Sequence, residues 1–151
     1  MHGLWLFVHV LGIALWLGGG LATMVGGVAA KQFSHESRIA AYRVTSAVHR
    51  ILIGPGAVAV VLSGVALSMR LVKAGTVPGW LVLMISAGVL AAVVVLGITV
   101  PTSARLGRLH LDSRGQLPES FARLRQRLVR AASIAGGLVL VALAAGTILK
   151  S

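Results

Sequence analysis

The sequence predicts an all-α membrane protein whose four transmembrane helices form an up-down-up-down bundle. Of its 151 residues, 57% are hydrophobic and 11% are charged, and the mean hydropathy is +0.94. A bilayer core about 30 Å thick needs roughly 20 apolar residues per helix, and four stretches of the chain meet that need. They run over residues 4–30, 51–69, 80–100 and 131–149. We therefore predict a single four-helix transmembrane domain over residues 1–151, with two basic connecting segments at 31–50 and 101–130.

The first stretch carries one ionisable residue well inside it, His9. It lacks a basic n-region and is too long for a signal-peptide core, so we expect it to be a retained helix. At about 100° per residue the helix has two nearly opposite stripes. The second stripe has a small-xxx-small pattern, which lets another helix approach closely. The first stripe comprises Trp5, His9, Gly12, Ile13, Trp16, Gly20 and Thr23, and the second comprises Gly18, Ala22 and Gly26.

The second and fourth stretches are each preceded by a segment that favours helix. Ser34 is a suitable cap for a helix that runs through His49 into the second stretch. The Gly54-Pro55-Gly56 sequence predicts a tolerated kink in it, since Pro55 has no N–H to donate. Pro118 and Glu119 suit the start of a helix that continues into the fourth stretch. There, Phe121, Leu124 and Leu128 share one face, which fits an amphipathic stem in the headgroup region.

The basic residues predict the orientation. Eleven of the fourteen lie in the first and third connecting segments and their flanks, and the positive-inside rule places such segments in the cytoplasm. Both termini and the short second loop then face outward. Anionic lipid headgroups account for the charge of +11 without nucleic acid. We expect a multi-pass protein of the bacterial inner membrane.

The stripe around His9 has what a haem b would need from a membrane helix. His9 offers a nitrogen ligand, Gly12 leaves space for a ring, and Trp16 supplies an aromatic wall. Haem iron commonly takes histidine on one side and histidine or methionine on the other. The alternative is that His9 only hydrogen-bonds a neighbouring helix.

His49 is the second candidate ligand. Counting 1.5 Å per residue, about 15 to 20 Å of membrane depth separates it from His9, so the two cannot hold one iron within a subunit. Three alternatives remain open: two separate sites, one real site, or ligation of one iron across a dimer. At the depth of His9, Met84 or Met69 is a possible axial partner.

Other chemistries lack their residues. The three acidic residues all lie in the basic connecting segments, so the apolar stretches contain no carboxylate that could relay protons through the membrane. With no cysteine and no HxxxH spacing, a dedicated zinc or copper site is poorly supported.

Several short motifs together resemble a known family. They are Phe7-Val-His9-Val-Leu-Gly12, Trp16-Leu-Gly18-Gly19, Arg50-Ile-Leu with Pro55 and Gly64, Gly79-Trp80-Leu, and Val100-Pro101 with Arg105-Leu. The chain resembles a bacterial family of small predicted integral membrane proteins of unknown function. More distantly it is similar to the membrane domain of copper-resistance protein D and to HemJ-type protoporphyrinogen IX oxidase.

In the HemJ type the first-helix histidine is thought to bind haem b, a role that the resemblance transfers to His9. That catalysis also requires a basic residue in the third helix, and the chain has none between Trp80 and Val100. The resemblance therefore implies haem or porphyrin binding rather than porphyrinogen oxidation.

Two hypotheses follow. The first is a b-haem membrane redox protein. It would exchange electrons with a quinol or a partner, or act as an oxidoreductase on a small substrate near the outer face. The second is an accessory subunit that packs through its glycine-rich faces in a homodimer or a larger membrane complex.

Overall fold

The computed structural model describes residues 2–73, 75 and 77–148, and in this part of the chain the regular structure is entirely helical. A short 3₁₀ turn, Ala30–Gln32, ends the first helix. The last predicted stretch reached residue 149, which lies outside the described residues. The α-helices are α1 (His2–Ala29), α2 (His35–Val48), α3 (Gly54–Lys73), α4 (Gly79–Val94), α5 (Val100–Gly107) and α6 (Glu119–Thr147).

Two π-helical turns join the shorter helices into long ones. His49–Ile53 connects α2 to α3, and Val95–Thr99 connects α4 to α5. Each turn is followed by a proline, Pro55 or Pro101, which has no N–H to donate and so disturbs the α-helical ladder. The predicted kink at residues 54–56 thus takes the form of a widened turn, in which the Gly54 N–H donates to the His49 carbonyl five residues back.

Four continuous helices are long and apolar enough to cross a membrane, which confirms the predicted all-helical class with four helices that could span a bilayer. They cover Gly3–Gln32, His35–Met69, Gly79–Gly107 and Glu119–Thr147. The second to fourth extend beyond the predicted apolar stretches because the basic segments continue as helix. The predicted cap at Ser34 is confirmed, since its Oγ accepts the Ser37 N–H at 3.3 Å.

The helices pack mainly as neighbours along the chain. The helix α1 lies along α3, α3 contacts α4, and α4 lies along α6, whereas α1 and α6 barely touch. At the α1–α3 contact, a Cβ built on Gly12 would lie 3.0 Å from the Gly56 carbonyl oxygen. The two backbones therefore touch directly, as small residues permit. The core between the helices contains Trp16, Ile53, Ala57, Ala91, Val95 and Ala135.

At one end of the bundle, α2, α5 and the first half of α6 form a second core. We call this the basic end because most of the arginines lie there. The Tyr42 and Phe121 rings meet edge to face, with centroids 5.2 Å apart, and Leu106 and Leu128 pack with them. The apolar face of the predicted amphipathic stem is buried in the protein, because α2 and α5 cover it.

Candidate functional site

The candidate site is built around His9, whose ring on α1 faces α3. Its Nδ1 lies 3.1 Å from the Val60 carbonyl oxygen and 2.9 Å from Ser63 Oγ. A carbonyl only accepts, and the Ser63 hydroxyl already donates to carbonyls of its own helix. Both contacts therefore assign the proton of the neutral imidazole to Nδ1. The lone pair is then on Nε2, which makes no hydrogen bond within the described residues.

His9 lines a cavity of about 360 Å³ between the four long helices. This volume is within the range of about 300–1,000 Å³ usual for ligand sites. The walls are mostly apolar, so a bound molecule would be held away from water. The lining residues that matter here are His9, Trp16, Gly64, Met84, Gly88 and Gly146.

Glycines shape this cavity on more than one wall. A Cβ on Gly64 would lie 3.3 Å from His9 Cε1, so the missing side chain lets the imidazole rest against α3. On the α6 side, a Cβ on Gly146 would lie 2.9 Å from the Met84 sulfur. Open space surrounds the Cβ position of Gly88 to beyond 4 Å. His9 and Met84 are therefore held by different walls of a cavity that has free room.

The structure brings together three of the residues singled out from sequence, namely His9, Trp16 and Met84, which all line the cavity. Two others lie elsewhere. Gly12 is buried against the α3 backbone and serves helix packing. Met69 is 53% exposed and points away from the cavity that Met84 lines.

His49 is also separate from this cavity. Its side chain is 2% exposed, and its Nδ1 donates to the Thr45 carbonyl of its own helix at 2.8 Å. Because His49 begins the π-helical turn, this bond supports the backbone at the point where the α-helical hydrogen bonds give way to π-helical ones. His49 therefore supports its own helix and does not line the His9 cavity, and its role as an iron ligand remains a prediction.

Sequence reasoning missed the α3 residues that hold His9, which are Val60, Ser63 and Gly64. The available signal was Ser63, a hydroxyl inside an apolar stretch and fully buried in the structure. It continues the stripe formed by Gly56 and Val60 by one further turn. Its pairing with His9 depends on the depth at which two helices meet, which periodicity does not specify.

The fold and the site together define a protein of four long helices that could span a membrane, with an apolar cavity between them that His9 lines. Within the described residues, no group of three or more His, Cys, Asp or Glu side chains is placed to hold a metal ion. No family model, curated protein or solved structure matches this chain. Its function therefore has to be argued from the site itself.

Proposed function

We propose that this is an integral membrane protein that binds b-type haem, with His9 Nε2 as an iron ligand. One observation carries the proposal: His9 donates Nδ1–H to the Val60 carbonyl, which leaves the Nε2 lone pair unused on a side chain that lines a cavity shared by four helices. Histidines that bind a metal almost always donate their other N–H to a carbonyl, carboxylate or water, which fixes the tautomer and the ring.

The remaining residues of the cavity fit the same group. Trp16 supplies a flat wall, and the free space beside Gly88 is the kind of gap into which a ring edge can enter. Met84 offers a thioether from another wall, so His9 and Met84 would hold the iron through a nitrogen and a sulfur atom, both of which haem iron takes as ligands in proteins. When bound, haem would supply one-electron redox chemistry. The apolar walls would exclude water, and His9 would hold the group in position.

The proposed setting is the bacterial inner membrane, with the basic end in the cytoplasm against anionic headgroups. The support is the charge distribution, since the four arginines 123, 125, 127 and 130 alone fall on two turns of α6. The His9 cavity, at the opposite end of the bundle, then lies near the outer face. There it is suited to electron transfer with a quinol or a partner protein, or to oxidation of a small substrate.

The test is an absorption spectrum of detergent-purified protein, oxidised and dithionite-reduced, after expression with haem supply. We expect a reduced b-type spectrum in the wild type and its loss in His9→Ala. His35→Ala is the matched control, because this exposed histidine lies at the basic end near the Gly115 carbonyl. A colourless wild type, or a His9→Ala protein that keeps the full spectrum, would refute the proposal.

A second candidate function has its own supporting observation. The stripe of Gly18, Ala22 and Gly26 is exposed, and a Cβ on either glycine would meet nothing within 4 Å. This face is therefore free to pack in a homodimer or against another subunit, as an accessory protein would.

The accessory role predicts that a bulky residue on this stripe breaks assembly. Ala22→Leu should shift the detergent-purified protein to a smaller species in size-exclusion chromatography with light scattering. Ala144→Leu, an exposed alanine on α6, is the control and should leave the assembly unchanged. A wild type that is already monomeric after mild extraction and purifies without any other subunit would exclude this role.

A further inference from the structure

A second cavity, of about 420 Å³, lies at the basic end of the bundle. It is enclosed by the end of α1, the first half of α2, the segment before α6 and the first turns of α6. Its walls combine apolar surface with three positively charged side chains. The lining residues used below are Ala30, Lys31, Arg38, Tyr42, Phe121 and Arg125.

Arg125 is fixed in this cavity by an uncharged partner. Its Nε–H donates to the Tyr42 hydroxyl oxygen at 2.9 Å, and Tyr42 is itself 4% exposed and packed against the Phe121 ring. A guanidinium has five N–H groups, and this bond uses one. The Tyr42 hydroxyl accepts here, so its own proton has no acceptor within the described residues. Several oriented donors therefore line the cavity without acceptors.

Arg38 has a comparable position on the other wall. It donates from Nε to the Ala30 carbonyl at 3.0 Å and from Nη2 to the Lys31 carbonyl at 2.6 Å. These bonds tie the end of α1 to α2 but leave the guanidinium charge uncompensated, since the acceptors are neutral.

The described residues place no carboxylate at ion-pair distance from these charges: Lys31, Arg38 and Arg125 form no ion pair, and neither does Glu119, the one acidic residue of the cavity lining. Three cations therefore face a single carboxylate, and the lining keeps a net positive charge. Three like charges around one cavity repel one another, and the low-dielectric membrane boundary strengthens that repulsion. An anion bound between them would relieve it and would fill the unused donors.

We propose that this cavity binds the phosphate headgroup of an anionic phospholipid. The phosphate oxygens accept from Arg125 and the Tyr42 hydroxyl, with Arg38 and Lys31 supplying further charge, because arginine suits phosphate geometry. Leu117 and Ala122 also line the cavity and keep exposed surface, which is apolar and suits the glycerol and the first chain carbons. Both α1 and α6 line the cavity and make few contacts with each other, so we expect the acyl chain to leave between them. The proposal is independent of haem binding.

The test is lipid binding by the full-length protein in a neutral detergent, followed by native mass spectrometry and by thermal unfolding. We expect phosphatidylglycerol to bind and to raise the unfolding temperature more than phosphatidylcholine does. Arg125→Gln should weaken phosphatidylglycerol binding by about tenfold, since charge-assisted bonds to one guanidinium are lost. Tyr42→Phe, which removes only the hydroxyl, should weaken phosphatidylglycerol binding less. This variant replaces Arg125→Gln in the test if Arg125→Gln does not fold.

Arg123→Gln is the matched control. Arg123 lies two residues away on the same helix, is exposed, and does not line the cavity. It should keep nearly full lipid affinity. An equal loss in Arg123→Gln and Arg125→Gln would mean that surface charge alone attracts the lipid, and would overturn the proposal. Equal stabilisation by inorganic phosphate would overturn it in favour of a soluble phosphate ligand.

Discussion

At the scale of single residues, the partly buried His9 and the buried His49 differ in what surrounds them rather than in their own chemistry. Both donate Nδ1–H to a backbone carbonyl, but His49 bonds within its own helix and His9 bonds across to α3. Only His9 borders the cavity between the four helices. An imidazole held from one helix and open to a shared cavity can bind a ligand there, whereas the contact made by His49 supports its own backbone.

Met84 provides a residue-scale test of the proposed axial pair. Methionine opposite histidine raises the reduction potential of haem. Met84→Leu keeps the side-chain volume but removes the sulfur, so we expect haem to stay bound through His9 while its midpoint potential falls. Redox titration followed by absorbance measures this.

Met69→Leu is the control for that titration, because Met69 is 53% exposed on α3. It should leave the potential unchanged. The same potential in Met84→Leu as in wild type would show that the sulfur is not a ligand.

At the scale of elements, the contact between α1 and α3 determines where His9 meets its partners. Gly12 and Gly56 let the two backbones touch, and one turn further along α3 the Val60 carbonyl reaches His9. The next contact down the same face is Gly19 against Ile53. Glycine is required at position 12 because two of its three nearest neighbours, the Gly56 carbonyl oxygen and the Val60 amide nitrogen, are backbone atoms, which cannot move aside like a flexible side chain.

We expect Gly12→Ala to destabilise the bundle. The new Cβ would lie 3.0 Å from the Gly56 carbonyl oxygen and 3.1 Å from the Val60 amide nitrogen, so the helices must separate. Overpacking of this kind costs about 1–3 kcal/mol. Thermal unfolding in one detergent, followed by circular dichroism, measures the effect.

Gly18→Ala is the matched control on the same helix, since its Cβ would meet nothing within 4 Å. It should be neutral or slightly stabilising, because alanine favours helix over glycine by about 1 kcal/mol. Equal destabilisation by both substitutions would contradict close α1–α3 packing.

At the scale of the whole molecule, the two cavities lie at opposite ends of the bundle and differ in character. The His9 cavity is apolar and reaches all four long helices, while the other is bordered by Lys31, Arg38 and Arg125. A bundle with its cations gathered at one end is suited to a membrane whose inner leaflet is anionic. The proposed orientation places the redox site and the lipid site on different sides of that membrane.

The orientation can be tested directly, because the chain has no cysteine and any introduced one is unique. Val77, in the α3–α4 connection, and Ser113, in the α5–α6 connection, are both exposed. A membrane-impermeant maleimide added to intact bacterial spheroplasts should label Val77→Cys and leave Ser113→Cys unlabelled, as the positive-inside rule requires.

Permeabilised cells are the control, in which both variants should react. Labelling of Ser113→Cys alone in intact spheroplasts would reverse the proposed topology. Labelling of both there would argue against a membrane-spanning bundle.

Some expectations from sequence concern properties that the chain carries locally, and these agree with the structure. The four long helices follow from apolar runs long enough for a bilayer, and Ser34 caps α2 because its side chain reaches a backbone N–H three residues on. Trp16, predicted on the same stripe of α1 as His9, is buried and lines the same cavity. The haem role of His9 and the choice of Met84 over Met69 as its axial partner remain predictions.

Other features depended on which helices meet and at what depth. The apolar face of the first half of α6 is covered by α2 and α5, so that Phe121 packs against Tyr42. Gly12, which was predicted from sequence to leave space for haem, lies against α3, and its role at haem remains a prediction.

By itself, then, the sequence determined a four-helix membrane chain with one histidine inside its first apolar run and its positive charge concentrated in two segments. Only the tertiary structure decided that His9 meets Val60 and Ser63, that Met84 shares its cavity, and that Arg125 pairs with Tyr42. The physical reason is that composition and periodicity are properties of one helix. The register between two helices depends on backbone contacts that glycines such as Gly12 and Gly56 permit, and these exist only once the helices have packed.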